Sequence, residues 1–185
     1  NCTYLVNVYL ANVSSIDSYA FSSCTSLAQI TLSDTINIKG EHAFDGAGLT
    51  NINLKNISIV KEHAFANCSS LRSVDFSLSG ITELPDFIFK NCTFLDNVSI
   101  PSTANMIKDG TIEGCTQLKK IFISVSVTYI GYDQSLYAVF TGCTSLSDVY
   151  YSETRDQWNS STIACDYDKE ILSSDKIHFN STHIE

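Results

Sequence analysis

The sequence contains few basic residues and no long hydrophobic run. Only 11 of its 185 residues are Lys or Arg, against 20 Asp or Glu, and the formal net charge is −9 at pH 7. Nucleic-acid binding requires a basic patch that neutralises phosphates, so this composition excludes it. Adhesion to an anionic membrane surface is disfavoured for the same reason. No stretch of eighteen apolar residues occurs, so we expect no membrane-spanning helix.

Catalytic signatures are missing as well. The sequence has four His and one Trp. It contains no His-Glu-x-x-His, Gly-x-Ser-x-Gly, phosphate-binding loop or dinucleotide fingerprint, which are motifs that position a metal, a nucleophile or a phosphate. We therefore expect a protein that is not an enzyme, with no catalytic residues and no cofactor.

No leader sequence is visible, and the chain does not begin with Met. It starts with Asn1-Cys2, which already belongs to the repeated motif described next. We interpret the sequence as a mature piece or a fragment of a longer protein. The missing leader therefore carries no information on secretion.

One motif that contains cysteine recurs along the chain. It reads Cys, two small or polar residues, Leu, two further residues, Ile or Val, one residue and a large apolar residue, as in residues 68–76 and 92–100. Repetition at a nearly fixed period is the signature of a solenoid, in which each repeat forms one turn of a coil. The cysteine position is occupied in turn by Cys2, Cys24, Ala47, Cys68, Cys92, Cys115 and Cys143.

Each copy of the motif predicts one strand. Val74 and Phe76 fall on one face of their segment, and Ser73 and Asp75 fall on the other, which is the period-two pattern of a half-buried strand. Strands this far apart in sequence cannot be hairpin partners, so we expect a parallel sheet with one strand per repeat. The predicted strands are residues 5–10, 27–32, 49–54, 71–76, 95–100, 118–123 and 146–151.

A second block precedes the cysteine and ends in Ala-Phe, as in residues 16–21 and 60–65. Its first, branched residue is typical of a short extended segment, and the Ala-Phe pair predicts a tight helical turn that buries the aromatic ring. We place this block on the outer side of the coil. An insertion within residues 131–137 lengthens one copy, and it is interpreted either as a tolerated surface loop or as part of a functional face.

The repeat pattern stops after Tyr151. Thr154 and Gln157 have the spacing of a capping box ahead of Trp158, and residues 176–179 predict a short strand. An open solenoid end exposes core residues and an unpaired strand edge. We therefore expect this tail to cover that end.

The combination Ala-Phe-x-x-Cys-x-x-Leu-x-x-Ile-x-Leu resembles the BspA-type leucine-rich repeat, also called the Treponema pallidum type, over residues 1–151. The tail is similar to bacterial members in its Tyr150-Tyr151 pair and in Trp158. The resemblance implies an α/β, predominantly β fold: a right-handed leucine-rich-repeat solenoid with a parallel concave sheet, short outer segments and a C-terminal cap. The expected domains are seven repeats of about 22–24 residues over 1–152 and a capping segment over 153–185.

The cysteines of the motif are interpreted as packing residues. Equivalent side chains of a stacked coil point the same way into the core, so a column of buried thiols is simpler than pairing along a line. Neighbouring repeats about 5 Å apart would nevertheless permit disulfides, so both states stay open. Cys165 lies outside the column, either as a free thiol or in the core of the cap.

His42 and His63 are weak candidates for a metal site. They occupy the same position in adjacent repeats, and each follows a glutamate, so stacked repeats could let them share a metal ion. The alternative is a solvated outer turn whose residues recur because the repeat recurs. We favour the second interpretation and assign no metal site.

Acidic residues alternate at Asp166, Asp168 and Glu170. The segment lacks the Gly and the distal Glu of a calcium-binding loop. We therefore expect a solvated acidic loop here.

Eight Asn-x-Ser/Thr sequons occur along the chain, and three of them are the repeat's own Asn-Cys-Ser/Thr. In a secreted eukaryotic protein they would be glycosylation acceptors, whereas in a bacterium they carry no such meaning. The sequon asparagines are Asn1, Asn12, Asn56, Asn67, Asn91, Asn97, Asn159 and Asn180.

The outward-facing side of the concave sheet is the candidate ligand-binding surface. Short polar residues dominate its middle, and aromatic residues stand towards its ends, where they suit contact with a protein or a glycan. Tyr and Phe are also favoured in strands by β-propensity, which is a second explanation for them. The candidate residues are Tyr9, Asn51, Asn53, Asp75, Asn97, Lys120, Phe122, Asp148 and Tyr150.

The function predicted from this pattern is an interaction module. The resemblance implies a surface-exposed or secreted protein of a host-associated microbe, with adhesins among its relatives. We expect a monomer, located outside the cell or on its surface, that adheres to a host or neighbouring-cell protein or glycan through the concave sheet. The alternative is a passive stalk or spacer within a larger surface protein.

Overall fold

A computed structural model describes residues 2–34, 36–76, 78–132, 137–173 and 175–180. Its strands form two rows, and two short helices, α1 (Arg155–Asn159) and α2 (Asp166–Ile171), follow the repeats. The row that we call the inner row contains β1 (Asn7–Leu10), β3 (Gln29–Leu32), β5 (Asn51–Asn53), β6 (Ser73–Asp75), β8 (Asn97–Ser99), β10 (Lys120–Ile123), β12 (Asp148–Tyr151) and β14 (Ile177–His178). The outer row contains β2 (Ser15–Ile16), β4 (Asn37–Ile38), β7 (Glu83–Leu84), β9 (Met106–Ile107), β11 (Tyr129–Ile130) and β13 (Thr162–Ile163).

The paired strands of both rows run parallel and in register. β1 pairs with β3, β5 with β6, and β8, β10, β12 and β14 form one four-stranded sheet. Each residue lies beside the same position of the next repeat, as Val8 lies beside Ile30 and Ile121 beside Val149. This arrangement confirms the predicted parallel sheet, and each predicted inner strand contains an observed one.

The core is a set of side-chain columns between the two rows. Its aromatic column stacks Phe21 on Phe44, Phe44 on Phe65 and Phe65 on Phe89, with ring centroids 5.2, 5.2 and 5.8 Å apart. Burying one such apolar side chain contributes about 1.5–3 kcal/mol. A parallel column of leucines is equally buried, at Leu27, Leu49, Leu71, Leu95, Leu118 and Leu146.

Five cysteines are buried packing residues, whereas Cys2 is exposed and Cys165 is half-buried, and all seven are free thiols. Cys68 Sγ donates to the backbone carbonyl of Phe44 at 3.1 Å, and Cys92 Sγ donates to that of Phe65 at 3.2 Å. Burial raises the pKa of Cys68 to about 12. The interpretation as a buried thiol column is confirmed from Cys24 to Cys143 but not at Cys2, and the thiols of Cys68, Cys92, Cys115 and Cys143 each donate to a backbone carbonyl of the preceding repeat.

The turn around the Ala-Phe pair is not helical, so that expectation is wrong. The residue that precedes the pair has a left-handed backbone, with φ of 60° at Tyr19, 55° at His42 and 56° at His63. A left-handed residue interrupts a right-handed helix, and its carbonyl closes a tight turn, as in the hydrogen bond from Ala66 N to His63 O at 3.0 Å. The next equivalent residues are Phe87 and Gly110, both with φ of 57°.

A second left-handed position directly precedes the cysteine position, and its side chains form a hydrogen-bonded column. Asn67 Nδ2 donates to Asp45 Oδ1 at 2.8 Å, and Asn91 Nδ2 donates to Asn67 Oδ1 at 3.0 Å. The column ends at Gly114, where a Cβ atom would lie 2.3 Å from the Asn91 Oδ1 atom. Both the positive φ of 74° and this close approach therefore favour glycine at residue 114.

The capping box predicted at Thr154 is confirmed. Thr154 Oγ1 accepts from Gln157 N, and Gln157 Oε1 accepts from Thr154 N at 3.0 Å, so two backbone donors at the start of α1 are satisfied. The helix buries Trp158, whose ring meets the ring of Tyr151 edge-on at 5.1 Å. The predicted terminal strand is also observed, as β14, and it extends the inner row beside β12.

Asp168 of α2 completes the hydrogen bonding of the turn at residues 137–140. In earlier repeats the phenylalanine N–H of this turn donates to a backbone carbonyl of the next repeat, as Phe44 N donates to Ala64 O at 2.8 Å. Phe140 N and Val139 N donate instead to the two carboxylate oxygens of Asp168, at 3.0 and 2.9 Å. The side chain is fully buried, and burial raises the pKa of Asp168, against the opposing effect of the two N–H donors.

The expectation of a solvated acidic loop is therefore wrong at Asp168, although Asp166 is almost fully exposed. The spacing of acidic residues in the sequence does not reveal which backbone N–H groups lack an acceptor.

The inserted residues 131–137 are described only in part, because residues 133–136 lie outside the described ranges. Within the described ranges, no helix is long and apolar enough to cross a membrane.

Candidate functional site

The nine candidate residues all lie on the inner row, on the side that faces away from the core. Tyr9 on β1 has 78% of its surface exposed, and Asn51 and Asn53 on β5 are exposed as well. Phe122 on β10 and Tyr150 on β12 are half-buried. We call this side of the inner row the inner face.

A groove of about 880 Å³ crosses the inner face over β6, β8, β10 and β12. It runs along the C-terminal ends of these strands and the loops that follow them. Four of the nine candidates line it together: Asp75, Asn97, Phe122 and Tyr150.

The other five candidates are not part of this groove. Tyr9 and Asn51 lie on strands nearer the N-terminus, and Lys120 and Asp148 lie on β10 and β12 without lining the groove. Asn53 lines a second, smaller groove of about 260 Å³. The structure therefore divides the predicted surface into a clustered part and a dispersed part.

Sequence reasoning missed four polar residues of the groove that lie just beyond the strands. Three of them continue the outward alternation by one position: Lys55 follows Asn53, Ser124 follows Phe122 and Ser152 follows Tyr150, each by two residues. Extending the period-two pattern past the last apolar residue of each strand would have found these three, but not Ser102, which follows the outward Ser99 by three residues. The missed residues are Lys55, Ser102, Ser124 and Ser152.

Three rings stack along the C-terminal part of the inner face. Phe122 and Tyr150 lie 4.8 Å apart between centroids at 13°, and Tyr150 and His178 lie 4.8 Å apart at 22°. His178 was not predicted as a site residue. Its position follows from the register of β12 and β14, in which it lies beside Tyr150, and that register could have been found by aligning residues 176–179 with the earlier strands.

A hydrogen-bonded pair, His178 and Asp148, flanks the ring stack. His178 Nε2 lies 2.7 Å from Asp148 Oδ1, and the Ser147 hydroxyl donates to Asp148 Oδ2 at 2.7 Å. These two contacts, that of Ser147 first, lower the pKa of Asp148. The pair fixes the ring of His178 in place next to Tyr150.

The groove itself carries one ion pair. Lys55 Nζ lies 3.0 Å from Asp75 Oδ2, and both side chains are about two-fifths exposed, at 41% and 43%. The remaining described lining residues are hydroxyl, amide, aromatic or aliphatic. Such a lining is suited to binding, because it combines apolar surface with a few placed polar groups.

His42 and His63 lie elsewhere, in a ring column on the outer side. Tyr19, His42, His63 and Phe87 stack in that order, with centroids 5.0, 4.4 and 4.9 Å apart. His42 Nδ1 is 2.9 Å from Asp45 Oδ2. Burial, and secondarily the neighbouring His42, lower the pKa of His63.

This stacking does not bring the two imidazoles to a common metal position. The rings are 4.4 Å apart and inclined by only 17°, so their in-plane lone pairs lie in nearly parallel planes and do not meet at one metal ion. Within the described part of the chain, no group of three or more His, Cys, Asp or Glu residues is arranged to hold a metal ion.

A family model and the solved structure of one relative agree with the repeat architecture. A family model described as BspA type leucine rich repeat region matches the sequence in six copies, over residues 1–92 and 78–169. The leucine-rich repeat protein of T. pallidum matches with a TM-score of 0.69 and 27% identity, covering 78% of this chain and 69% of that chain. A leucine-rich cell surface protein from Faecalibacterium prausnitzii matches with a TM-score of 0.48 and 24% identity, covering 87% of this chain and 63% of that chain.

The chain thus spans about two thirds of the length of these two solved structures. A search of curated proteins gives no match.

Proposed function

Because this chain belongs to the BspA-type leucine-rich repeat family, we propose that it is a cell-surface or secreted interaction module. It adheres to a protein or glycan of a host or neighbouring cell through the inner face, at the groove that Asp75, Asn97, Phe122 and Tyr150 line. It acts as a monomer outside the cell or on its surface. Residues 1–152 form seven repeats that present this face, and residues 153–185 cap the last of them.

The observation that carries the proposal is the groove and its ring stack. Phe122 and Tyr150 stack in the groove, where outward-facing residues of an ordinary solvated sheet would be polar. Aromatic residues beside placed polar groups are the composition of binding centres. β-propensity explains a single aromatic residue on a strand, but it does not explain rings that gather at one groove.

The proposal is tested with the double substitution Phe122→Ser and Tyr150→Ser. The protein and the variant are applied to an array of immobilised extracellular-matrix proteins and glycans. We expect the variant to lose binding to any array member that the protein captures, because Phe122 and Tyr150 are the half-buried aromatic residues that line the groove. Far-UV circular dichroism and the thermal midpoint report whether the variant is folded.

Tyr9→Ser is the matched control. Tyr9 is an outward aromatic of the same column of the inner row, but it lies outside the groove. We expect this variant to bind as well as the unchanged protein. Equal binding by the folded double variant would refute the assignment of the groove.

The second candidate function is a passive stalk within a larger surface protein. It is favoured by the region between β1 and β8, where the outward residues are mostly short and polar, including Asn51, Asn53 and Ser73. A stalk predicts that no member of the array is captured by residues 1–185. Capture that depends on the ring stack would exclude it.

A further inference from the structure

We infer that the groove binds a neutral oligosaccharide. The inference rests on the proposed function, and it names the ligand class and the position on the inner face. It concerns the groove over β6, β8, β10 and β12, not the inner face as a whole. Four properties of the described lining support it: charge, hydrogen-bonding capacity, aromatic surface and dimensions.

The charge of the described lining is balanced within the groove. Its cation, Lys55, and its carboxylate, Asp75, form a 3.0 Å ion pair with each other. A phosphate, a sulfated glycan or a charged peptide would meet no excess of opposite charge there, and would compete with this pair. A neutral ligand makes hydrogen bonds to both partners without separating them.

The hydrogen-bonding groups of the groove can both donate and accept. Asn97 has an amide, and its Nδ2 uses one hydrogen on Asp96. The Ser152 hydroxyl accepts from Val125 N at 2.9 Å, which uses one lone pair and leaves its hydrogen to donate. Sugar hydroxyls also donate and accept, so this lining matches them better than it matches a ligand of acceptors alone, such as phosphate.

The rings of the groove add apolar contact of the kind that sugar rings offer. Phe122 and Tyr150 are half-buried and held by stacking, so they lose little freedom when a ligand binds. Both faces of the Tyr150 ring are covered, by Phe122 and by His178, so a ligand in the groove meets the edges of the stacked rings, and the C–H groups of a sugar ring bury apolar area there. The serines beside these rings meet the hydroxyls at the rim of the sugar.

The dimensions fit an oligosaccharide better than a single sugar. The groove holds about 880 Å³, towards the upper end of small-ligand sites. It crosses four neighbouring strands, which places its ends roughly 14 Å apart. A chain of sugars can lie along this path, perpendicular to the strands.

The test is binding of defined oligosaccharides to the chain of residues 1–185. The neutral probes are mannotetraose, cellotetraose and di-N-acetyllactosamine, and the acidic probes are 3′-sialyllactose and a heparin-derived tetrasaccharide. Saturation-transfer NMR identifies binding, and calorimetry gives the affinity. We expect at least one neutral probe to bind and neither acidic probe to bind more tightly than it.

A matched pair of variants locates the binding. Asn97→Ala removes an amide from the groove, and we expect about a fivefold loss of affinity, the value of one neutral hydrogen bond. Asn51→Ala changes the same exposed position two strands away, outside the groove, and we expect no loss. Ser102→Trp, at an exposed position of the groove rim, should block it and abolish binding.

The outcomes separate the inference from the proposed function. Exclusive binding of acidic probes, or equal affinities of the Asn97 and Asn51 variants for a neutral probe, would overturn the inference. If no oligosaccharide binds, the inference is also overturned. The proposed function still stands in that case if the chain captures a protein and the Phe122 and Tyr150 double variant does not. If neither proteins nor oligosaccharides bind, both fall.

Discussion

The first repeat and the middle repeats have similar sequences but different burial. Leu10 and Phe21 are only half-buried, whereas Phe44, at the position of Phe21 in the next repeat, is fully buried. Leu54, at the position of Leu10 two repeats later, is also fully buried. The burial of a side chain in this fold is therefore set by the repeats stacked on each side of it, more than by its own segment.

At the last repeat, a segment with a different sequence takes the place of the next stacked repeat. Beyond Tyr151 the chain no longer follows the motif, yet Tyr151 is almost fully buried, because Trp158 packs against it. Asp168 supplies acceptors for the backbone donors of residues 139 and 140. A non-repeating tail thus provides the apolar cover and the hydrogen-bond acceptors of a further repeat.

The largest expected effect compares Phe65→Ala with Phe21→Ala. Phe65 is fully buried between two rings, so its truncation should lower the free energy of unfolding by about 3–5 kcal/mol. Phe21 has a stacked ring on one side and is half-buried, so we expect roughly 2 kcal/mol there. Urea unfolding followed by circular dichroism measures both. Equal losses would show that stacked neighbours do not set the contribution of a phenylalanine side chain to the free energy of unfolding.

An intermediate effect is expected from Asp168→Ala. Two buried N–H groups would lose their acceptors, and we expect the free energy of unfolding to fall by about 2–3 kcal/mol. Asp166→Ala in the same helix is the control, because Asp166 is solvent-exposed and should leave stability unchanged. If both variants unfold at the same urea concentration, Asp168 does not complete the last repeat.

The smallest expected effect is a pH dependence of stability that arises in the middle repeats, where His63 stacks on His42. The pKa of His63 is lowered from its ordinary 6.5 because burial and the neighbouring His42 disfavour its charged form. The unfolded chain therefore takes up this proton more readily than the folded chain. Stability should fall as the pH drops through 6.5 towards the lowered folded pKa, and stay level below it.

His63→Phe tests this dependence. Phe87 already occupies the same position in the next repeat with the same left-handed backbone, so a phenylalanine ring fits the column. We expect the variant to lose less stability than the unchanged protein between about pH 7 and about pH 5. Unfolding free energies measured by urea titration at both pH values give the comparison. Identical slopes would contradict the role of His63.

Much of the fold could be predicted from the sequence because the same residue pattern recurs in each repeat. The inward-facing apolar positions of Val74 and Phe76 recur in every copy, and the observed strands follow them. The turn conformation could not be predicted, because Tyr19 and Phe87 carry bulky side chains that ordinarily avoid positive φ. There the geometry of the coil overrides local preference.

The candidate site was predicted only in part. Alternation identified the side on which Asp75, Asn97, Phe122 and Tyr150 lie. It could not show that these four gather at one groove while Tyr9 does not, because clustering depends on the loops that follow the strands. Asp168 was misjudged for a related reason: its role depends on donors far away in the sequence.

The asparagine column has a consequence for covalent modification. Asn67 and Asn91 stand in sequons, and N-linked glycans are attached to the side-chain nitrogen. In the folded chain the nitrogen of Asn67 already donates to Asp45, and that of Asn91 donates to Asn67. An oligosaccharyltransferase that acts on the folded chain competes with these hydrogen bonds, whereas one that acts before the repeats stack does not, so the order of folding and modification affects whether the two residues carry a glycan.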